Sequence, residues 1–175
     1  MRGHTAIATA ALALSLFGCS PGSGGLGNLG AGPLPYQHAN VLMPTGYSES
    51  LIGPDRYRIE VKGPVGTPRQ RMEAIASTRA AEIGATANLR YFKIEGVQHT
   101  TSCRSYTRGG KPGAIGTGER KTIAYEILTA DVAYAKEPAD PAYLESKPAF
   151  EKYRAELDQG QAASPALAAS AATCG

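Results

Sequence analysis

The clearest pattern in the chain is a strict alternation of charged and apolar residues from Arg56 to Lys62. A period of two with one polar face is typical of a half-buried strand in an antiparallel sheet. The Gly63-Pro64 pair ends this strand, since neither residue favours its continuation. We therefore predict a strand whose buried face is formed by Tyr57, Ile59 and Val61.

A helix is predicted over residues 67–87, where apolar residues recur every three or four positions. Thr67 is expected to cap it, Pro68 suits the first helical position, and Gln70 completes a capping box. The helix should end before Asn88, which tolerates the left-handed conformation. Its Ala-rich face, which would lie close against a sheet, consists of Met72, Ile75, Ala76, Ala80, Ile83 and Ala87.

A second strand is predicted over residues 90–99 and a third strand, or a pair of strands, over residues 121–134, with a Gly-rich loop at 107–118 between them. Within residues 121–134 the apolar alternation changes phase near Ile127-Leu128. One extra residue exchanges the two faces of a strand, so this change predicts a bulge there. The core-facing residues of the first stretch are Phe92 and Ile94.

A second helical segment is expected to begin with Asp140 as its cap, to be interrupted at Pro148 and to end at Gly160. Taken together, the elements predict one α+β domain over residues 44–135. A small antiparallel sheet of three to four strands would carry the main helix on one face. Residues 136–175 would add a C-terminal helix, packed at an edge or extending away, and an Ala-rich tail.

The first 18 residues have the form of a signal peptide. Residues 6–17 are almost entirely apolar, but this run is shorter than the roughly 20 residues that span a bilayer as a helix. The run ends in Leu16-Phe17-Gly18-Cys19, which resembles a lipobox, the cleavage motif of bacterial lipoproteins. The resemblance implies acylation of Cys19 and cleavage before it. An ordinary secretory signal followed by a chance cysteine is the alternative.

Residues 19–43 are expected to form the acylated start and a tether, because the stretch from Pro21 to Pro35 is rich in Gly and Pro. Ser20, directly after the cysteine, favours delivery to the outer membrane, with the domain in the periplasm. The membrane, through the lipid on Cys19, is thus the predicted partner.

The formal net charge is only +3, and the basic residues are scattered among acids. This distribution indicates a mixed solvated surface and gives no basis for nucleic-acid binding.

Three cysteines are present, and lipidation of Cys19 would leave Cys103 and Cys174. An oxidising envelope compartment favours a disulfide between these two, closing a long loop. Two free thiols, or an intermolecular bond through Cys174, are the alternatives.

Two short motifs resemble a family of small proteobacterial lipoproteins of unknown function. They are Gly46-Tyr47-Ser48-Glu49 and Arg79-Ala80-Ala81-Glu82, followed by Tyr91-Phe92 at the start of a strand. The resemblance covers residues 44–103 and implies an envelope lipoprotein with a small α+β domain, but no activity. The chain departs from the family at Asn88, where Gly is expected, and in its Ala-rich tail with Cys174.

The motif residues also have a physical interpretation. Arg79 and Glu82 are three apart on a helix and can form an ion pair. Arg79 lies at the rim of the apolar face, from which it can reach Glu49, while Tyr47 packs on the domain. A lock that holds the fold is the favoured hypothesis, and a binding site built from the same residues is the alternative.

No catalytic, cofactor-binding or metal-binding residues are predicted. The segment from Gly46 to Ser50 lacks the last Gly of a nucleophile elbow, and a strand rather than a helix follows it. His99 and Cys103 are four residues apart. On a helix this spacing would bring the two side chains close enough to bind one metal ion, but on the predicted strand and loop it does not.

The sequence therefore predicts a membrane-anchored envelope lipoprotein that binds or positions another envelope component, such as a protein, without catalysis. The competing hypothesis is a periplasmic ligand-binding module or a redox or metal stress sensor, with input through Cys103, Cys174 and His99.

Overall fold

The computed structural model describes residues 33–108 and 118–163. The predicted signal peptide, Cys19 and Cys174 lie outside these residues, as do most of the predicted tether and most of the Gly-rich loop.

The described chain forms one antiparallel sheet of five strands in the order β1-β2-β4-β3-β5, with two helices. The predicted α+β class with a C-terminal helix is confirmed, and the sheet is larger than predicted. In chain order the elements are β1 (Gly46–Gly53), β2 (Arg56–Pro64), α1 (Arg69–Thr86), β3 (Tyr91–Arg108), β4 (Glu119–Ala135), β5 (Leu144–Glu145) and α2 (Ser146–Ala163).

Strand β1 is absent from the pattern-based prediction, which begins the sheet at Arg56. Its sequence does not alternate cleanly, because Glu49 shares the helix-facing side of the strand with Tyr47. A carboxylate on that side is tolerated only because a cation on α1 meets it, and a hydrophobic pattern does not show such a pairing. The left-handed Asp55 (φ 52°) lies in the turn to β2.

The predicted bulge in β4 is wrong. Pairing of β4 with both neighbours runs without a shift through Ile127 and Leu128, and the irregularity lies in β3, between Ile94 and Gly96. The apolar residues of β4 change phase because Ile123, Tyr125 and Ile127 lie on the face of the sheet opposite the helices. The larger apolar side chains of β4 therefore lie on the face opposite the helices up to Ile127 and on the helix-facing side from Leu128 onward.

Helix α1 begins at Arg69, and its capping differs from the prediction. The N-cap residue is Pro68, no side-chain capping bond is present, and the Thr67 hydroxyl instead donates to the carbonyl of Pro64. Thr67 is needed in the turn between β2 and α1, where it packs against Gly63. The predicted left-handed residue after the helix is confirmed, with φ 58° at Asn88.

Helix α2 begins at Ser146, six residues after the predicted cap. Asp140 instead holds a turn, accepting from the backbone N–H of Ala142 and pairing with Lys93 at 2.7 Å. Pro148 is the third helical residue, where its missing N–H costs no helical hydrogen bond, so it does not interrupt the helix. Gly160 does not end the helix, which continues to Ala163.

Helix α1 lies between two layers, because the sheet covers one side and α2 another. Its buried residues therefore occupy more than the one face predicted, and they include Arg71, Thr78, Ala81 and Gly84. The core between sheet and helices is formed mainly by Ile59, Val61, Met72, Ile75, Phe92, Leu128, Val132 and Leu157. Leu34, predicted to belong to the tether, is also buried, with 2% of its surface exposed.

The first residue of α2, Ser146, lies directly against α1 at Gly84. A Cβ atom there would lie 2.2 Å from Ser146 Oγ and 2.7 Å from Ser146 Cβ. The Ser146 hydroxyl is itself held, since it donates to the carbonyl of Leu89 at 2.7 Å. Glycine is thus required at this position for packing, although it disfavours a helix interior.

We predict that Gly84→Ala lowers the free energy of unfolding by about 1–3 kcal/mol, because overpacking outweighs the gain in helix propensity. Urea unfolding measures this change. Gly160→Ala is the matched control, since among the described residues a Cβ atom there would meet only Arg71 Nη1, at 4.0 Å. The control should gain up to about 1 kcal/mol; equal gains in both variants would contradict the close contact.

Candidate functional site

The four motif residues meet where β1 lies against α1. The Arg79 guanidinium donates to Glu49 through Nη2 (2.7 Å) and Nε (3.3 Å), and to Glu82 through Nη1 (2.6 Å). The contact between Arg79 and Glu49 that the sequence suggests is therefore present. About a fifth of each side chain is exposed, namely 19% for Arg79, 22% for Glu49 and 24% for Glu82.

Aromatic rings enclose this ion pair cluster. The Arg79 guanidinium carbon lies 5.0 Å from the centre of the Tyr47 ring, and the Tyr36 ring lies 4.8 Å from that of Tyr47. The Tyr36 hydroxyl donates to Glu82 at 2.6 Å, and Arg154 on α2 stacks on Tyr36. Each charged group thus has a partner, and the cluster joins β1, both helices and the segment before β1.

Tyr36 is the member of the cluster that sequence patterns miss. It lies in a short Pro-flanked segment without periodicity, so no strand or helix signal includes it. The segment is positioned by β1, because Tyr47 N donates to the Gln37 carbonyl and Ala39 N to the Tyr47 carbonyl. A close approach at Gly46, where φ is 129°, leaves no room for a side chain beside Gln37.

The protonation states in the cluster follow from its burial and hydrogen bonds. Burial, with the hydrogen bond to Glu82, raises the pKa of Tyr36 well above its usual range, so the hydroxyl remains a donor. Burial alone would lower the pKa of Arg79, but the hydrogen bonds to Glu49 and Glu82 outweigh it and raise that pKa. A permanently charged guanidinium and a neutral phenol suit a structural lock better than proton transfer.

The sheet face away from the helices carries a second group of polar side chains. Arg58 forms a bidentate pair with Asp131, at 2.7 and 2.9 Å, and this contact lowers the pKa of Asp131. A shallow depression of about 300 Å³ lies there, lined by Arg58, Glu60, Gly96, Gln98, Thr129 and Asp131. Among the described residues, no helix or further strand packs on this face, which we call the open face.

A groove of about 510 Å³ lies between the helices and includes Arg71, Ala74, Tyr153 and Leu157. Arg71 donates to the carbonyls of Leu34 and Leu157, at 2.9 and 2.8 Å. Burial lowers the pKa of Arg71. These two hydrogen bonds connect α1 to the segment before β1 and to α2. Arg71 therefore has a structural role.

His99 and Cys103 share the helix-facing side of β3 but do not form a joint site. Four residues along a strand correspond to about 13 Å, too far for one metal ion to bridge. His99 Nε2 is buried and lies 3.4 Å from Glu73 Oε1, in a geometry that forms no hydrogen bond. In the described part of the chain, no three potential ligand residues form a metal site.

Cys103 is exposed and disulfide-bonded. The other two cysteines lie outside the described residues, so pairing with Cys174 stays a prediction, as does lipidation of Cys19. Strand β2 ends where Pro64 pairs with Tyr125 of β4. From there toward the Gly-rich loop, β3 and β4 continue as a two-stranded ribbon, and Cys103 lies near the start of this ribbon.

Comparisons of the chain with protein-family models, curated proteins and solved structures find no match. Within residues 33–108 and 118–163, no helix is long and apolar enough to cross a membrane.

We predict that Arg79→Ala lowers the free energy of unfolding by about 2–3 kcal/mol, because two partly buried carboxylates lose their shared cation. Denaturant unfolding at neutral pH measures this loss. The control is Arg69→Ala, which removes an exposed pair with Glu73 (3.2 Å) and should cost at most about 0.5 kcal/mol. Equal effects of the two substitutions would rule out the lock.

The raised pKa of Tyr36 predicts a loss of stability at alkaline pH. Above about pH 10 the unfolded chain loses this proton while the folded chain keeps it, so folding becomes less favourable as pH rises. Tyr36→Phe should be less stable at pH 8, by about 1–2 kcal/mol. Its stability should also fall less steeply between pH 9 and 11, which urea midpoints across that range measure. A slope identical to that of the wild type would contradict this account.

Proposed function

We propose that this chain is a lipid-anchored protein of the bacterial envelope whose domain binds or positions another envelope component without catalysing a reaction. The observation that carries this proposal is the one-sided covering of the sheet. Both helices lie on one side, and the open face presents paired charges and amide and hydroxyl groups over several strands. The same face also carries Ile123, Tyr125 and Ile127. A broad surface of mixed polar and apolar side chains suits contact with a macromolecule.

Attachment to a membrane rests on the N-terminal sequence. The apolar run at 6–17 followed by Gly18 and Cys19 is the pattern of a lipoprotein signal. Several acyl chains on one cysteine would hold the protein far longer than the marginal binding of one chain. Ser20 favours the outer membrane, and the disulfide at Cys103 is consistent with an oxidising periplasm.

The rigidity of the scaffold also supports a binding role. The open face belongs to central strands β2, β4 and β3, whose other face is the domain core. The Arg79 cluster fixes edge strand β1 to α1, so the sheet is held on its buried side, and within the described residues no helix covers the open face. Side chains on such strands keep their spacing when a partner binds, which limits the entropy cost of association.

We predict that a photo-crosslinking amino acid in place of Gln98, on the open face, captures a specific envelope component in living cells. The matched control is the same amino acid in place of Glu151, which is exposed on α2. Mass spectrometry of the crosslinked products identifies the partner. Identical products from both positions, or none from Gln98, would count against the open face as a binding surface.

The anchor is tested separately. We predict that Cys19→Ser abolishes incorporation of labelled palmitate and moves the protein from the membrane fraction to the soluble fraction or to its unprocessed precursor. Labelling that survives this substitution would exclude Cys19 as the acylated residue.

One observation favours a redox-sensing role as a second candidate, because the disulfide-bonded Cys103 is exposed to solvent and so to reductants. Counting thiols by mass spectrometry, with and without mild reductant, distinguishes the two. A bond that resists mild reduction supports the structural role, whereas a readily reduced bond that changes partner capture at Gln98 supports sensing.

A further inference from the structure

The turn at Asn40–Met43, just before β1, displays apolar side chains to solvent. Val41 is 99% exposed, Leu42 is 88% exposed and Met43 is 45% exposed. Scattered exposed apolar residues are ordinary, but adjacent side chains held almost entirely outside the fold are unfavourable in water. Neither Val41 nor Leu42 contributes to the core, so packing does not explain their apolar character.

The exposure is built into the turn. Asn40 N donates to the Met43 carbonyl at 2.8 Å, and Asn40 Oδ1 accepts from the N–H groups of Leu42 and Met43, each at 2.9 Å. The residues before it are tied to β1, through Ala39 N and the Tyr47 carbonyl at 2.7 Å. The turn therefore projects Val41 and Leu42 from a hydrogen-bonded base.

The same hydrogen bonds make the turn suitable for an apolar environment. Backbone groups that enter a bilayer without partners each cost several kcal/mol in principle, and the Asn40 side chain already satisfies two N–H groups at the tip. In addition, residues 39–48 contain no Asp, Glu, Lys, Arg or His. No charge would have to be buried with the turn.

The position of the turn in the chain indicates what it meets. It lies between Cys19 and the first strand, and 13 residues, 20–32, separate Cys19 from the first described residue, Pro33. A Gly-rich chain of that length has a root-mean-square span of about 20 Å. A lipid on Cys19 would hold the domain at about that average distance from the bilayer, where even weak insertion becomes effectively intramolecular.

We propose that the Asn40–Met43 turn inserts Val41 and Leu42 into the surface of the bilayer that holds the acylated Cys19. This inference rests on the proposed lipid anchor and adds a second attachment point, which would restrict the orientation of the domain on the membrane. A second copy of the chain is a poorer occupant, because two side chains on a convex turn supply far less than the roughly 1,000 Å² of a stable interface.

The chain contains no Trp, so a single introduced Trp reports its own surroundings. The test uses full-length acylated protein carrying Leu42→Trp, reconstituted into vesicles of phosphatidylethanolamine and phosphatidylglycerol. We expect a blue shift of the Trp emission and loss of intensity when the lipids carry brominated acyl chains. The control is Leu51→Trp, at an equally apolar site, 65% exposed, toward the other end of β1, which should show neither change.

A second variant separates insertion from local changes in the turn. Val41→Asp, added to Leu42→Trp, should abolish the quenching by brominated lipid while the circular dichroism spectrum and the melting temperature stay unchanged. Quenching that persists at full strength with Asp beside the reporter would overturn insertion.

The remaining outcomes are also decisive. Equal quenching at positions 42 and 51, or none at 42 in vesicle-bound protein, overturns insertion alone. A blue shift at 42 without quenching shows burial against protein and overturns the bilayer as occupant. Failure of the acylated wild-type protein to float with vesicles overturns the proposed anchor, and with it this inference.

Discussion

Arg79 places one guanidinium between two carboxylates from different parts of the fold, Glu49 on β1 and Glu82 on α1. A partly buried charge is tolerated only when it is paired, so each of these residues requires the others. The pairing allows β1 to carry a carboxylate on the side that faces the helices. Tyr36 and Tyr47 close the cluster from the segment before β1 and from β1 itself, so the N-terminal part of the domain depends on this contact.

The second constraint is the burial of α1 between the sheet and α2. Small residues on this helix, among them Gly84 in contact with Ser146, let α2 pack on its outer side. Consequently both helices lie on one side of the sheet, and no helix of the described residues packs on the opposite face. The packing that stabilises the domain thus also determines which surface the proposed partner would meet.

Two surfaces follow from this arrangement, and they differ in chemistry. The open face has paired charges and hydrogen-bonding groups beside the apolar side chains of Ile123, Tyr125 and Ile127, which together suit a partner of mixed polarity. The Asn40–Met43 turn is uncharged and apolar, and it lies in the part of the chain closest to the proposed lipid anchor. The proposed lipid on Cys19 and the inserted turn would attach the protein to the bilayer at two points. Two attachment points would restrict the orientation in which the open face meets a partner.

The sequence alone determined the α+β class, strand β2, the body of α1 and the left-handed Asn88, because local periodicity and backbone preference decide these features. It also indicated that Arg79 could reach Glu49. Only the tertiary structure decided that β1 is a strand, that the phase change in β4 reflects two apolar faces, and that α2 packs on α1. Strand pairing and helix packing join residues far apart in the chain, so no local pattern records them. Tyr36, Leu34 and Gly84 owe their roles to such distant partners.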